Sequence, residues 1–400
     1  MTKSCAKTQQ DIAGKEVGMK RFQVLDSFRG LCALSVAIYH VHISQSFGEW
    51  AFFRNAHYLV SFFFVLSGFV MCHTYGRRLK ANGQFRHFFI TRTMRLYPLH
   101  VFVLALAIGL ECVKLAAEHS GLTFNQGSFT GQRAPQEIIP NLLLLQSWWP
   151  GFNPQSFNFP AWSISVEYYI YMIFAGILLL SPASAFKIFA VMSLIATVML
   201  FFGSAPLAEP VLQGLSCFFA GVMTYQIYLM IQEWRGSAWL YTVAEATAII
   251  LVTIAMVSDL PQKQIMLTLL FCAVILMFSF EGGLLSKALK ARPFEQLGTL
   301  SYSIYMTHAM ILFTATLSLL MVGKFTGQSW VTYTTEGPGP YLSFSNPILN
   351  NLLLVTLLVV IIALSALTHH FVELRGIRWG KRWARKGDLM PGAKPANTPV

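Results

Sequence analysis

Ten apolar runs recur along the 400-residue chain, at about 28–46, 58–75, 95–113, 161–180, 186–203, 210–231, 239–257, 264–280, 300–322 and 348–370. A helix needs about 20 such residues to cross a bilayer. The pattern therefore predicts an all-α, polytopic membrane helix bundle of about ten transmembrane helices. Two runs carry polar residues: the third starts beside Arg92 and Arg95, and the sixth has Glu209, Gln213 and Gln226 at or near its ends. The polar tails 1–20 and 381–400 read as disordered, leaving 21–380 as one membrane domain.

Two connections are long, and loops of that length are usually functional or disordered. Residues 114–160 contain an apolar patch, Ile138 to Trp149, that either dips back or lies along the interface; residues 323–347 are rich in Gly, Thr, Ser and Tyr. Their aromatics, Trp148, Trp149, Trp330, Tyr333 and Tyr341, either offer flat faces to a sugar ring or form an aromatic belt. No internal repeat is visible, which weakens the case for a repeat-built transporter.

Charge sets the orientation. Only 12% of the residues are charged, about half the share of a soluble domain, and mean hydropathy is +0.54. With ten spans, all but Arg54, Lys114, Arg133, Lys263 and Lys324 of the 29 Lys and Arg fall on the side that holds both tails. The positive-inside rule puts that side, and both termini, in the cytoplasm. The net charge of +12 points to anionic headgroups or an anionic cytosolic ligand and not to nucleic acid. The first run is not followed by a small-residue cleavage site, so it reads as a retained anchor. The six cysteines include no Cys-x-x-Cys pair and read as apolar fillers, with no metal site expected.

Four constellations exceed what hydropathy requires. Arg29 and His40, eleven residues apart, return to nearly the same helix face about 16 Å apart along the axis. An ionisable side chain within a span costs on the order of 2–3 kcal/mol, which makes His40 either a functional residue or a core histidine bonded to a neighbouring helix. Asp26, three residues before Arg29, is placed to pair with it or to cap the helix. Arg92 and Arg95 share one face of a helix entering the membrane, and arginine suits forked bonding to phosphate. Their bland reading is a positive-inside cluster with Arg77, Arg78, Lys80 and Arg86. Glu167, in the stretch from Trp162 through Ser163, has Ser163 and Tyr171 on its face and reads equally as a structural pair or a catalytic group. Ser301, Tyr305 and His308 share a face of the ninth run, as lining residues or as helix glue.

Several short segments, taken in order, resemble the acyltransferase-3 membrane family. They are Leu-Asp-Ser-Phe-Arg-Gly at 25–30 with His40, Phe-Phe-Phe-Val-Leu-Ser-Gly-Phe at 62–69, Arg92 and Arg95 with Tyr97-Pro98, Trp-Ser-Ile-Ser-Val-Glu at 162–167, Ser-Tyr-Ser-Ile-Tyr-Met-Thr-His at 301–308, and Phe-Val-Glu at 371–373. The resemblance covers about residues 22–380. It implies transfer of an acyl group, often acetyl, from cytosolic acyl-CoA to a surface glycan, lipopolysaccharide, peptidoglycan or macrolide sugar. The family's functional signatures fall on Arg29, His40, Arg92 and Arg95. The polar residue that often follows the glutamate is Tyr168 here, so no role carries over to it.

The chemistry of the residues is compatible with that implication. Arginines would hold the phosphates of acyl-CoA, a co-substrate and not a resident cofactor, while its thin arm reaches toward His40. Histidine suits general-base activation of a sugar hydroxyl, and no metal is needed; a covalent acyl-histidine is the variant. The expected roles are catalytic for His40 and Glu167, acyl-CoA binding for Arg29, Arg92 and Arg95, and lining for Asp26, Trp162, Ser163, Tyr305 and His308. The expected partners are acyl-CoA, a carbohydrate or glycolipid acceptor and membrane lipids, with a homo-oligomer allowed, in a bacterial inner membrane. The rival reading is a proton-coupled transporter or flippase that uses His40, Glu167 and His308 as a relay.

Overall fold

The first apolar run folds as helix α1, Gln23–Tyr39, and stops there. The run expected to reach residue 46 is therefore only partly helical, and His40 is the residue that ends the helix instead of lying within it. Beyond it the chain is held by a different structure: a two-stranded hairpin, Val331–Tyr333 with Pro340–Leu342, onto which Ile43 bridges through Leu342. In this computed structural model the described residues are 20–388, apart from 77, 80–81, 121–126, 204–206 and 334–339. Most of both expected disordered tails, together with Arg77, Lys80 and the side chain of Tyr333, lie outside them.

The other runs fold as α2 Leu59–Tyr75, α3 Asn82–His119, α4 Ala161–Leu180, α5 Ala185–Phe202, α6 Glu209–Ile231, α7 Ala238–Val257, α8 Lys263–Phe278, α9 Arg292–Thr326 and α10 Pro347–Thr368. Through one π-turn at His369–Glu373, α10 continues into α11, Leu374–Asp388, past the boundary at 380 that polarity suggested. An amphipathic helix needs only one apolar face, and its basic residues do not stop it. Eight of the described helices are long and apolar enough to cross a membrane, with α1 and α8 shorter at 17 and 16 residues. The chain is a multi-pass membrane helix bundle. Helices α3 and α9 outrun their apolar runs because polar ends can continue a helix outside the apolar core.

Close crossings set the positions of the site helices. Helices α1 and α9 meet glycine to glycine: a β-carbon at Gly30 would lie 2.4 Å from the Leu297 carbonyl carbon, and one at Gly298 would lie 2.3 Å from the Asp26 oxygen. Without a hydrophobic drive between helices in lipid, such small-residue contacts carry the association. Helices α2 and α6 use the same device at Gly68 and Gly221. Pro98 inside α3 has no N–H to bond the carbonyl of Met94, and Gly376 of α11 packs against that carbonyl and the proline ring. Gly298→Val should lower the thermal unfolding temperature in detergent, by the equivalent of about 1–3 kcal/mol, because the clash is with backbone. An unchanged melting curve would refute this account of the crossing.

The long connection after α3 dips back into the bundle. Leu144, Asn141, Gln146 and Ser147 are buried, His100 bonds the Asn141 carbonyl at 2.7 Å, and Ser165 Oγ donates to the Leu144 carbonyl at 2.6 Å. The Trp148 indole donates to the Ser165 carbonyl at 3.0 Å, which makes it a packing residue; Trp149 stays exposed.

Candidate active site

Two adjoining cavities lie among the helices and share Arg29, Glu167 and Tyr302. The first is lined mainly by apolar and hydroxyl side chains, among them Phe63, Phe64, Ser163, Ser301 and Tyr305. It is partly open to solvent, with a cavity volume of about 50 Å³. The second adds Arg92, Arg95, Ser67 and Tyr171. Three guanidiniums thus line it against a single carboxylate. Among the described residues, no carboxylate forms an ion pair with Arg29, Arg92 or Arg95. Arg92 lies over the rings of Tyr75 and Tyr171, 5.0 and 5.6 Å from their centroids. Uncompensated positive charge in a part-buried cleft is an anion site.

Glu167 stands where the cavities meet. Its Oε1 accepts from Ser67 Oγ at 2.5 Å and from the Tyr171 hydroxyl, and those two hydroxyls are 2.6 Å apart. Of the two residues expected on its face, Tyr171 joins it, whereas Ser163 bonds the Tyr305 hydroxyl at 2.8 Å. Oε2 makes no hydrogen bond among the described residues. Glu167 makes no direct contact with His40.

The two histidines meet each other but line neither cavity, so of the residues expected as lining, His308 stands outside, behind Tyr305. His40 Nδ1 lies 2.9 Å from the Val36 carbonyl and 3.3 Å from His308 Nε2, and His308 Nδ1 lies 3.2 Å from the Ile304 carbonyl. A carbonyl only accepts, so Nδ1 of each neutral ring carries the proton. That leaves His40 Nε2 as a free lone pair, with no protein donor among the described residues. Phe159 packs on the His40 ring at 4.4 Å, and Tyr305 lies 6.0 Å from the His308 ring, linking the pair to the cavity wall.

Arg54 fixes the end of α1. Its guanidinium donates to the carbonyls of Ile38, Val41 and Gly48 at 2.8 Å each and to His42 Nδ1 at 2.6 Å. By sequence alone Arg54 is one of five basic residues on the side opposite the tails. His42 is occupied there and by the Tyr341 ring, away from the site.

Asp26 and Trp162, like His308, line neither cavity. Asp26 pairs with Arg21 at 2.9 Å, not with Arg29, and it does not cap α1, which starts after Phe22. Trp162 packs against Phe64 and accepts from Ser147 through its carbonyl, lining neither cavity. The Phe-Val-Glu segment and the 301–308 segment meet in a further polar cluster: Glu373 Oε2 accepts from Ser303 at 2.7 Å and lies 2.8 Å from His369 Nδ1, across the π-turn. An i, i+4 histidine–glutamate pair at the end of an apolar run was the available signal.

The family model for the acyltransferase domain matches residues 22–370. The chain belongs to the acyltransferase-3 family. It is 42% identical over 88 residues to protein 2 of the picA locus of Rhizobium radiobacter, covering 22% of this chain and 44% of that protein. It is 29% identical over 164 residues to the acyltransferase MdmB of Streptomyces mycarofaciens, 38% of each. It is 24% identical over 324 residues to the peptidoglycan O-acetyltransferase OatA of Listeria monocytogenes, 72% of this chain and 49% of OatA. The chain thus spans half or less of the length of these relatives. No solved structure matches it. The family model and two of these three relatives carry acyltransferase or acetyltransferase in their names, and none of the three is named as a transporter.

Proposed function

We propose that the protein transfers an acyl group, acetyl in the simplest case, from cytosolic acyl-CoA to a hydroxyl of a cell-surface carbohydrate or related glycosylated acceptor. The observation that carries this reading is the division of chemistry along α1. At one end Arg29 joins Arg92 and Arg95 around a cavity with uncompensated positive charge. At the other end His40 presents a lone pair fixed by its Nδ1 bond. The rise between the two residues, about 16 Å, suits a donor whose phosphates and thioester sit at opposite ends of a long arm.

In the proposed reaction the acceptor hydroxyl attacks the thioester carbonyl as His40 Nε2 takes its proton. The new C–O bond forms, the C–S bond breaks, and the proton on Nε2 passes to the departing thiolate. Glu167 serves where the two cavities join, holding the Ser67 and Tyr171 hydroxyls and offsetting part of the arginine charge. The name of OatA supports an envelope glycan as acceptor. The basic tails support both termini in the cytoplasm, in a bacterial inner membrane.

The test uses purified protein in oriented vesicles with labelled acyl-CoA on the cytoplasmic face and a membrane-impermeant glycan on the other. Labelled product is expected without movement of CoA across the bilayer. Product formed only when both substrates share the cytoplasmic face would overturn the transmembrane arrangement and favour an intracellular acceptor.

A further inference from the structure

We propose that His308 is a positioning residue that fixes the tautomer and basicity of His40. This rests on the reading of His40 as the base. The two come from α1 and α9, the helices locked by the Gly30–Gly298 crossing, so their spacing is set by backbone contact. His308 is fully buried and its ring stands 5.2 Å from that of His40, tilted by 32°. Its Nδ1–H is spent on the Ile304 carbonyl, so its Nε2 is an acceptor aimed at the Nδ1–H of His40. That hydrogen is shared between the Val36 carbonyl and His308.

Two consequences follow from this three-centre bond. The proton is held on Nδ1, which keeps Nε2 as the lone pair that faces the acceptor. When Nε2 takes the hydroxyl proton, the imidazolium keeps both Nδ1 acceptors, and His308 stabilises the charge without itself being protonated. The other titratable or charged groups around His40 are Tyr39, His42, Arg54, His57 and Tyr305. None of them makes a hydrogen bond to a His40 ring nitrogen among the described residues.

His308→Leu removes the acceptor, His308→Gln restores one near the Nε2 position, and His308→Asn places its amide near Nδ1, short of His40. The leucine variant should lose about 10–100-fold in kcat, as other histidine-orienting partners do, with the KM for acyl-CoA unchanged. Loss of an acceptor from the imidazolium makes it more acidic, so the acidic limb of kcat/KM should move to lower pH by about one pH unit. Glutamine should recover most of both properties and asparagine should not. Should leucine prevent folding, the glutamine–asparagine contrast makes the same test. Equal loss in Gln and Asn with an unmoved limb, or a wild-type profile in Leu, would overturn the proposal. Retained activity in His40→Ala would instead overturn the base reading on which it rests.

Discussion

Replacing His40 with alanine should lower acyl transfer by about 10²–10⁴-fold, the contribution of a positioned general base. The loss should come without loss of folded protein, and the structure says why. The end of α1 is held by Arg54, whose guanidinium takes the Ile38 and Val41 carbonyls, and not by the imidazole, whose own backbone bond is only to Val36. The measurement is turnover of labelled acyl-CoA at matched expression, with thermal unfolding as the control. A well-folded variant that keeps near-wild-type turnover would sink the general-base role.

What the sequence made legible follows from how far along the chain each interaction reaches. The spans are runs of neighbouring residues, so each of the ten runs overlaps a helix, eight of the described helices being long and apolar enough to cross a membrane; helical spacing put Tyr171 on Glu167 and brought Ser301 and Tyr305 to the first cavity. Contacts that join distant residues were illegible. Nothing in the spacing of Arg54 links it to carbonyls 13 and 16 residues earlier. The contact of His40 with His308 spans 268 residues. Short-range reasoning also failed where a competitor stood nearby: Asp26 had two arginines in reach, and Arg21, not Arg29, took it because Arg29 turns into the cavities.

The end of α1 misled for a related reason. Val41 and Ile43 carry apolar positions past Tyr39, and hydropathy does not distinguish a helix from an irregular segment buried by other means. Ile43 is fully buried, yet it pairs with a strand 299 residues away, because Leu342 offered backbone partners that a helix would have supplied itself. The His40 lone pair is placed by that break: a histidine one turn inside a continuous helix would have had its neighbours on all sides.

Arg92→Ala and Arg95→Ala should each weaken acyl-CoA binding by about 10–100-fold, the value of one charge-assisted hydrogen bond of about 1.5–3 kcal/mol. The cavity they share with Arg29 has three guanidiniums and one carboxylate, so removing one cation removes attraction for phosphate without relieving an internal ion pair. Lysine at either position should recover only part of the affinity, because a point charge cannot reproduce a planar fork. The two sites should differ in one respect. Arg92 also covers the rings of Tyr75 and Tyr171, so its loss should loosen the Tyr171–Glu167 contact and depress kcat as well as binding. Affinity measured by titration with labelled CoA, alongside KM and kcat, separates these effects. Lys263→Ala is the control for mere loss of charge, since Lys263 bonds Asn55 and the Met256 carbonyl outside both cavities. Acyl-CoA affinity unchanged in both arginine variants would remove the phosphates from this cavity and with them the polarity of the site along α1.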